Sequence, residues 1–198
     1  MNERLLMVIM RIRDQKKYNS IVKSSIELTN KLGFSGISIS KIAKKANVSP
    51  ATIYIYFENK EDLLTVIYST IRQEAGKAVL TNIDANMTIK EQFKEVWINS
   101  FSFYLSHPEY AQYREQFEQT TMMKDVKVEE FELNNYITEL LNKGIEDKII
   151  QNQPIPILIS FGFIPIITLL GLHFNNTIIM GDKEIIKSCE IAWKAIAA

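Results

Sequence analysis

Residues 49 to 60 set side chains with polar chemistry at close intervals: Ser49, Pro50, Thr52, Tyr54, Tyr56 and Lys60, with a further hydroxyl upstream at Ser38. The hydroxyls of Ser38, Ser49 and Thr52 can donate or accept at base edges or phosphate oxygens, while Tyr54 and Tyr56 carry theirs farther out, at a reach suited to phosphate. Pro50, like Ala51 beside it, offers apolar surface to a thymine methyl. Lys60 brings a positive charge to the exposed amides of a helix start, a pairing that favours phosphate. No Arg lies in this run, so bidentate guanine readout is not expected. Selectivity for A·T-rich sites through methyl contacts and shape is expected instead.

Other chemistries lack their residues. His107 stands before Pro108, His173 lies in an apolar run, and the single Cys189 falls in the last predicted helix. No Cys–His pair or metal-ligand spacing results. Glu129, Glu130 and Glu132 read as a solvated helix face, and no Gly-rich loop is present to cradle phosphate. The expectation is a non-enzyme with no catalytic residue, no metal and no cofactor.

The elements that must position the polar set are legible residue by residue. Ser38 is a good N-cap, because its hydroxyl accepts an orphan amide of the first turn. Ile37 and Ile42 sit where a hydrophobic staple clamps that entry. Ile39, Ile42, Ala43 and Ala46 form one apolar face, opposite Lys41, Lys44 and Lys45. Asn47 closes this helix, since Asn tolerates the left-handed backbone. Val48 fills the space between two helices. Ser49 caps the second and Pro50 occupies its first position. Ile53 and Phe57 point to the core. A short helix, a three-residue turn and a second short helix is how proteins present side chains to the major groove.

The run Ile42-Ala43, Ala46, Val48-Ser49, Thr52-Ile53-Tyr54, Tyr56-Phe57, Lys60 and Leu63 resembles the DNA-binding domain of the TetR family of bacterial transcriptional regulators. Ile21-Val22, Leu28 and Leu32-Gly33-Phe34 are similar to that family's first helix and its closing glycine. The specific resemblance covers roughly residues 15 to 64. Asn47 stands where the family usually has Gly, and both residues adopt a positive φ; Ser25 stands where a small Ala is usual. The resemblance implies DNA contacts at Ser38, Thr52, Tyr54, Tyr56 and Lys60. It also implies a dimer interface built by the last two helices and a small-molecule effector site in the body.

Composition agrees with a helical chain. The 198 residues include only seven Gly and five Pro, and few β-alternating runs occur. One cysteine excludes an intramolecular disulfide. The apolar residues 5–10 are too few for a signal peptide, so the cytoplasm is the expected location. The formal net charge of zero hides a division. Residues 1–60 hold 11 Lys/Arg against 4 Asp/Glu, and residues 61–198 hold 12 against 19. A basic N-terminal third on an acidic body suits a nucleic-acid-binding head that docks alone.

The expected fold is all-α. An N-terminal three-helix helix-turn-helix domain (residues 1–59) precedes a C-terminal helical-bundle domain for dimerisation and ligand binding (60–198). Helices are expected at about 10–32, 39–46, 50–56, 60–81, 88–106, 108–121, 125–143 (ended by Gly144), 154–174 and 182–197. The stretch from Ile149 to Gly181 contains no charged residue. Ile155–Phe174 is long enough to span a bilayer, but its prolines, its polar residues and the lack of a basic flank favour a buried dimer helix over a membrane segment. Pro165 should kink it. Ile164, Leu169, Leu172, Ile191 and Trp193 are the expected homodimer contacts. Aromatic and Met residues of the body, above all Trp97, Phe101, Tyr104, Phe117 and Met122, are candidates to line a pocket for a small apolar or aromatic effector. Ordinary core is the competing reading for each. Two functions stay open: a ligand-responsive regulator, its expected partners being palindromic double-stranded DNA, a second copy and an effector, or an effector-independent architectural DNA-binding protein on the same fold.

Overall fold

The computed structural model describes residues 3–84 and 86–198, with side chains from Asp14 onward. The apolar run 5–10 therefore lies outside the described side chains. Ten α-helices are described: α1 (Glu3–Leu32), α2 (Ile39–Ala46), α3 (Pro50–Ile53), α4 (Lys60–Leu80), α5 (Ile89–Ser106), α6 (Pro108–Glu118), α7 (Glu132–Glu146), α8 (Ile155–Gly162), α9 (Pro165–Phe174) and α10 (Asp182–Ile196). Short 3-10 turns lie at Thr121–Asp125 and Val128–Glu130. The chain forms two compact units, one of residues 1–70 and 112–126, the other of residues 71–111 and 127–198.

In the first unit, α1, α2 and α3 enclose a core of Ile21, Ile26, Ile37, Ile42, Ala43, Ala46, Ile53 and Phe57. Ser25 is fully buried, and its hydroxyl is satisfied by donating to the Ile21 carbonyl at 2.8 Å. Gly33 takes φ 71 at the end of α1. The chain then delivers Phe34 edge-on to Tyr113 and Phe117 (centroids 5.3 and 5.6 Å). Phe117 stacks on Tyr68 at 4.3 Å. The Tyr113 hydroxyl donates to the Leu64 carbonyl at 2.9 Å, and burial pushes this phenol well above its ordinary pKa.

The second unit is built on α5, which packs against α7, α9 and α10. Thr88 and Glu91 form a capping box at its start. Phe93 stands at the centre of an aromatic cluster with Trp97 (6.1 Å), Phe163 (4.9 Å) and Trp193 (5.3 Å). The nearly buried Arg72 donates to Asn134 at 2.6 Å and lies 5.1 Å from the Phe131 ring centroid, which holds the start of α7 to α4. Ile149–Gln151 pair with the C-terminal residues: the Gln151 amide donates to the Ile196 carbonyl and the Ala198 amide to the Ile149 carbonyl.

Several element boundaries differ from the sequence reading: α1, expected from about residue 10, begins at Glu3, and α6, expected to about residue 121, ends at Glu118. The helix expected at 125–143 begins only at Glu132, after the two 3-10 turns, and runs past Gly144 to Glu146. Gly144 serves packing instead, since a Cβ there would lie 2.4 Å from Ile150 Cδ1. The helix expected at 154–174 is two helices, because Pro165 lacks an amide and the chain reorganises at Phe163–Ile164 instead of bending through. The second helix of the reading pair ends at Ile53, and residues 54–56 continue as tighter turns.

Asn47 closes α2 at φ 55, ψ 48. Asn47→Gly is expected to leave stability nearly unchanged. Asn47→Ala should lower it by about 1 kcal/mol, because a Cβ without a compensating polar group is strained in the left-handed region. Urea denaturation of both variants checks this; equal midpoints would show that the turn tolerates any residue.

Candidate nucleic-acid interface

The helix-turn-helix is set by three capping events. The Ser38 hydroxyl accepts from the Lys41 amide at 3.3 Å. At the turn, the Asn47 amide reaches the Ala43 and Lys44 carbonyls and the Val48 amide reaches Ala43 O at 3.0 Å, an arrangement that satisfies the last carbonyls of α2. The Ser49 hydroxyl then accepts from the Thr52 amide at 3.2 Å, with Pro50 at the first helical position. Ile42, Ala43, Ala46 and Ile53 are buried between the helices, so the polar residues of the pair face outward.

The predicted contact residues divide by what they already hold. Ser49 and Thr52 share a hydroxyl hydrogen bond at 2.9 Å. Pro50 is exposed beside them. Tyr54 is 56% exposed, its ring projecting from the end of α3. Lys60 opens α4 and lies 3.9 Å from the Glu61 carboxylate. Beside it, Asn59 Oδ1 accepts from the Asp62 amide at 2.8 Å, and Asp62 accepts in return from the Glu58 amide at 2.9 Å. Tyr56 differs from the rest. Its hydroxyl donates to Asp14 on α1, and this hydrogen bond pushes its pKa up to about 12. Two of the α2 lysines are also engaged within the unit. Lys41 donates to the Gly36 carbonyl at 2.7 Å, and Lys45 pairs with Glu27 at 2.7 Å, which holds that carboxyl below its ordinary range.

Sequence reasoning missed Ile55. At 75% exposure it is the most exposed large hydrophobic side chain described, set between Tyr54 and Tyr56. Reading 50–56 as continuous helix obscured it. Tyr54 and Ile55 both face outward at the end of α3, while Tyr56 is half-buried against Tyr18. Asp14 was also missed, since nothing local to residue 14 signals a partner at residue 56.

The five candidate effector residues are not gathered in one unit. Trp97, Phe101 and Tyr104 lie on the buried face of α5 in the second unit. Phe117 is stacked in the core of the first unit, and Met122 lies on a 3-10 turn within that unit's residues. Trp97 is completely buried, yet its indole N–H has no partner among the described residues.

The remaining nucleophile and imidazoles are occupied structurally. Burial raises the Cys189 thiol to about 12. His107 bonds the Phe103 carbonyl through Nδ1 at 2.9 Å, and His173 Nδ1 accepts from the Met180 amide at 3.1 Å. No cluster of potential metal ligands occurs among the described residues.

Two capped helices joined by a three-residue turn, with hydroxyls and an apolar tip turned outward, define a helix-turn-helix protein. Residues 21–67 match the family model for bacterial regulatory proteins of the tetR family, and residues 88–197 match that for the tetracyclin repressor-like C-terminal domain. The chain belongs to the TetR family, whose members are transcriptional regulators and not enzymes. The fatty acid metabolism regulator protein of Bacillus subtilis is 34% identical over 86 residues, 43% of this chain and 44% of that protein. The chain spans about half the length of the curated relatives it matches, 57% and 44% for two of them. A TetR family transcription regulator from Marinobacter aquaeolei VT8 superposes with a TM-score of 0.86 at 28% identity, covering 94% of this chain and 98% of that one. The transcriptional regulator FadR from Bacillus subtilis, solved with stearoyl-CoA, superposes at 0.71 with 22% identity, over 88% and 95% of the two chains. That last likeness shows the fold alone.

Proposed function

We propose that this protein is a ligand-responsive transcriptional repressor. Residues 1–59 form the DNA-binding head, and residues 60–198 form a body that senses an effector and dimerises, in the cytoplasm. The observation that carries the proposal is the outward surface of the helix-turn-helix. Ser49, Pro50, Thr52, Tyr54 and Ile55 present hydroxyls and apolar surface with no guanidinium, a chemistry suited to thymine methyls and phosphates. Ser38 and Lys60 flank this surface at two helix starts, where anions are favoured.

One head makes few phosphate contacts, so useful affinity needs two heads on two half-sites. The second unit supports pairing: Ile157 and Phe161 on α8, Ile164 between α8 and α9, Leu172 on α9 and Ile191 on α10 are exposed, Phe161 at 59% and Ile191 at 70%. Trp193, expected at this interface, is instead buried against Phe93 in its own chain. A second copy is the proposed cover of this face, as in the family, whose regulators usually act as dimers. The Ile155–Phe174 stretch has a mean hydropathy of 2.3 and the length to cross a membrane, but α8 and α9 are separate helices of 8 and 10 residues.

For the effector, the unpaired Trp97 N–H is the supporting observation. A buried donor without an acceptor is costly, and Trp97 sits among Phe93, Phe101 and Trp193. A molecule with an apolar chain and a carbonyl oxygen would satisfy both features. An acyl thioester, the class bound by the FadR relative, is the proposed effector. Its signal would pass along α4, whose residues belong partly to each unit.

Selection from random duplexes should yield a palindrome, A·T-rich at the contacted positions, with half-sites about one helical turn apart or a multiple of it. Tyr54→Ala and Lys60→Ala should each weaken binding to that operator by about tenfold, with the Lys60 variant reducing the salt slope by about 1. Neither should change the oligomeric state, and unchanged affinity would remove the head assignment. Light scattering at micromolar concentration should give twice the 22.9 kDa chain mass, falling to the monomer for Ile191→Asp. A monomeric parent, or recovery of the protein with membranes, would overturn the dimer. Stearoyl-CoA should release the operator, and Trp97→Phe should raise the concentration required by roughly three- to tenfold. Retention of the operator at saturating acyl-CoA would reject this effector class.

A further inference from the structure

Tyr56 is expected to donate its hydroxyl hydrogen bond to a DNA phosphate, yet in the free protein that donor is already engaged. The hydroxyl donates to the Asp14 carboxylate and lies 3.2 Å from the Asp14 carbonyl oxygen. The ring has little freedom to look elsewhere. Tyr18 meets it edge-on at 5.7 Å and stacks on Phe57 at 5.6 Å, and Phe57 itself is buried. Tyr56 and Asp14 are 42 residues apart in sequence and both belong to the first unit. The pair stays near the surface, with Asp14 exposed and the basic residues Lys16 and Lys17 exposed next to it on α1.

A phenol has one proton to donate. A carboxylate and a phosphodiester are both anionic oxygen acceptors, and both form the stronger, charge-assisted kind of hydrogen bond with it. They therefore compete for the same donor. We propose that Asp14 is an internal stand-in for phosphate: its carboxylate accepts the Tyr56 hydrogen bond in the free protein, and DNA binding exchanges this acceptor for a phosphate oxygen. The exchange has two consequences. Tyr56 adds little net affinity, because the hydrogen bond formed with DNA replaces one already present. Asp14, once released, leaves an uncompensated negative charge beside the DNA backbone. Asp14 is thereby a brake on operator affinity that acts through Tyr56.

The inference rests on the reading of Tyr56 as a backbone contact, and a double-mutant cycle separates the two. Operator affinity is measured for the parent, Asp14→Ala, Tyr56→Phe and the double variant, with Asp14→Asn as a second, size-conserving replacement. Helix content by circular dichroism confirms folding. Exchange predicts that Tyr56→Phe changes the parent's affinity less than about threefold, but costs about tenfold in the Asp14→Ala background, where the carboxylate is gone and only the weaker, longer contact to the residue-14 carbonyl remains for the Tyr56 donor. Asp14→Ala and Asp14→Asn should each bind operator more tightly than the parent. The part of that gain due to charge alone persists with Phe at position 56, and the part due to the freed donor disappears. An equal cost of Tyr56→Phe in both backgrounds would overturn the exchange while leaving Tyr56 as a DNA contact. No cost in either background would overturn both the contact and the exchange. Weaker binding by Asp14→Ala would show that Asp14 orients Tyr56 for DNA, which also rejects the brake. Failure of the parent to bind any selected duplex would reject the DNA reading and this inference with it.

Discussion

Asn47 leaves α2 in the left-handed conformation, and from there the amides of Asn47 and Val48 fold back onto the last carbonyls of that helix. The chain reverses within three residues, and Ser49 arrives where its hydroxyl caps α3. Every outward side chain of the reading surface takes its direction from this reversal. The caps contribute about 1 kcal/mol each, whereas burying Ile42, Ile53 and Phe57 contributes on the order of 1.5–3 kcal/mol each. The apolar clamp therefore holds the two helices together, and the caps fix which residues face out. Ending α3 at Ile53 matters for the same reason, since Tyr54 caps the helix there and Tyr54 and Ile55 are left exposed at its end.

The basic character of the N-terminal third is only partly on offer to DNA. Lys41 and Lys45 are bonded within their own unit, the first to a carbonyl and the second to Glu27. The exposed Lys45–Glu27 pair is worth about 0–1 kcal/mol, little enough for an external anion to compete with it. Tyr56 and Asp14 follow the same pattern with a phenol as donor. The free surface is thus arranged with internal acceptors standing where external anions can replace them. Affinity on such a surface depends on differences between acceptors and on released counterions, more than on the number of donors present.

What the sequence revealed and what it hid follow from the range of the interactions involved. The caps at Ser38, Ser49, Asn59 and Thr88, the left-handed closure at Asn47 and the apolar face of α2 are set by residues within four positions of one another. Local patterns of that kind can be read directly. The break at Phe163–Ile164 was harder, because a proline signals a disturbance without saying whether the helix bends or divides. The 3-10 turns at 121–130 look like helix in composition but bury no side chain. The Tyr56–Asp14 bond, the stack of Phe117 on Tyr68 and the burial of Trp193 against Phe93 join residues 42 to 100 positions apart. No local pattern encodes them. Candidate pocket residues were hardest of all, since an aromatic side chain in a core and one lining a cavity have the same composition.

The uncharged stretch from Ile149 to Gly181 gains a second meaning from the charge of the residues around it. Residues 61–198 carry seven more acidic than basic groups, so two copies brought together would repel through any interface that placed like charges opposite each other. A face built from α8 and α9 contains none, and α10 contributes Ile186 and Ile191 to the exposed apolar set. Hydrocarbon would be a poorer cover. The break between α8 and α9, with Pro165 supplying no amide, is non-helical backbone of the kind that a lipid environment tolerates only where protein covers it. A protein partner buries the same side chains while water and polar groups remain within reach of the turn. Of the environments that could cover this face, a second copy meets both constraints, apolar contact without opposed charge and solvation of the broken helix.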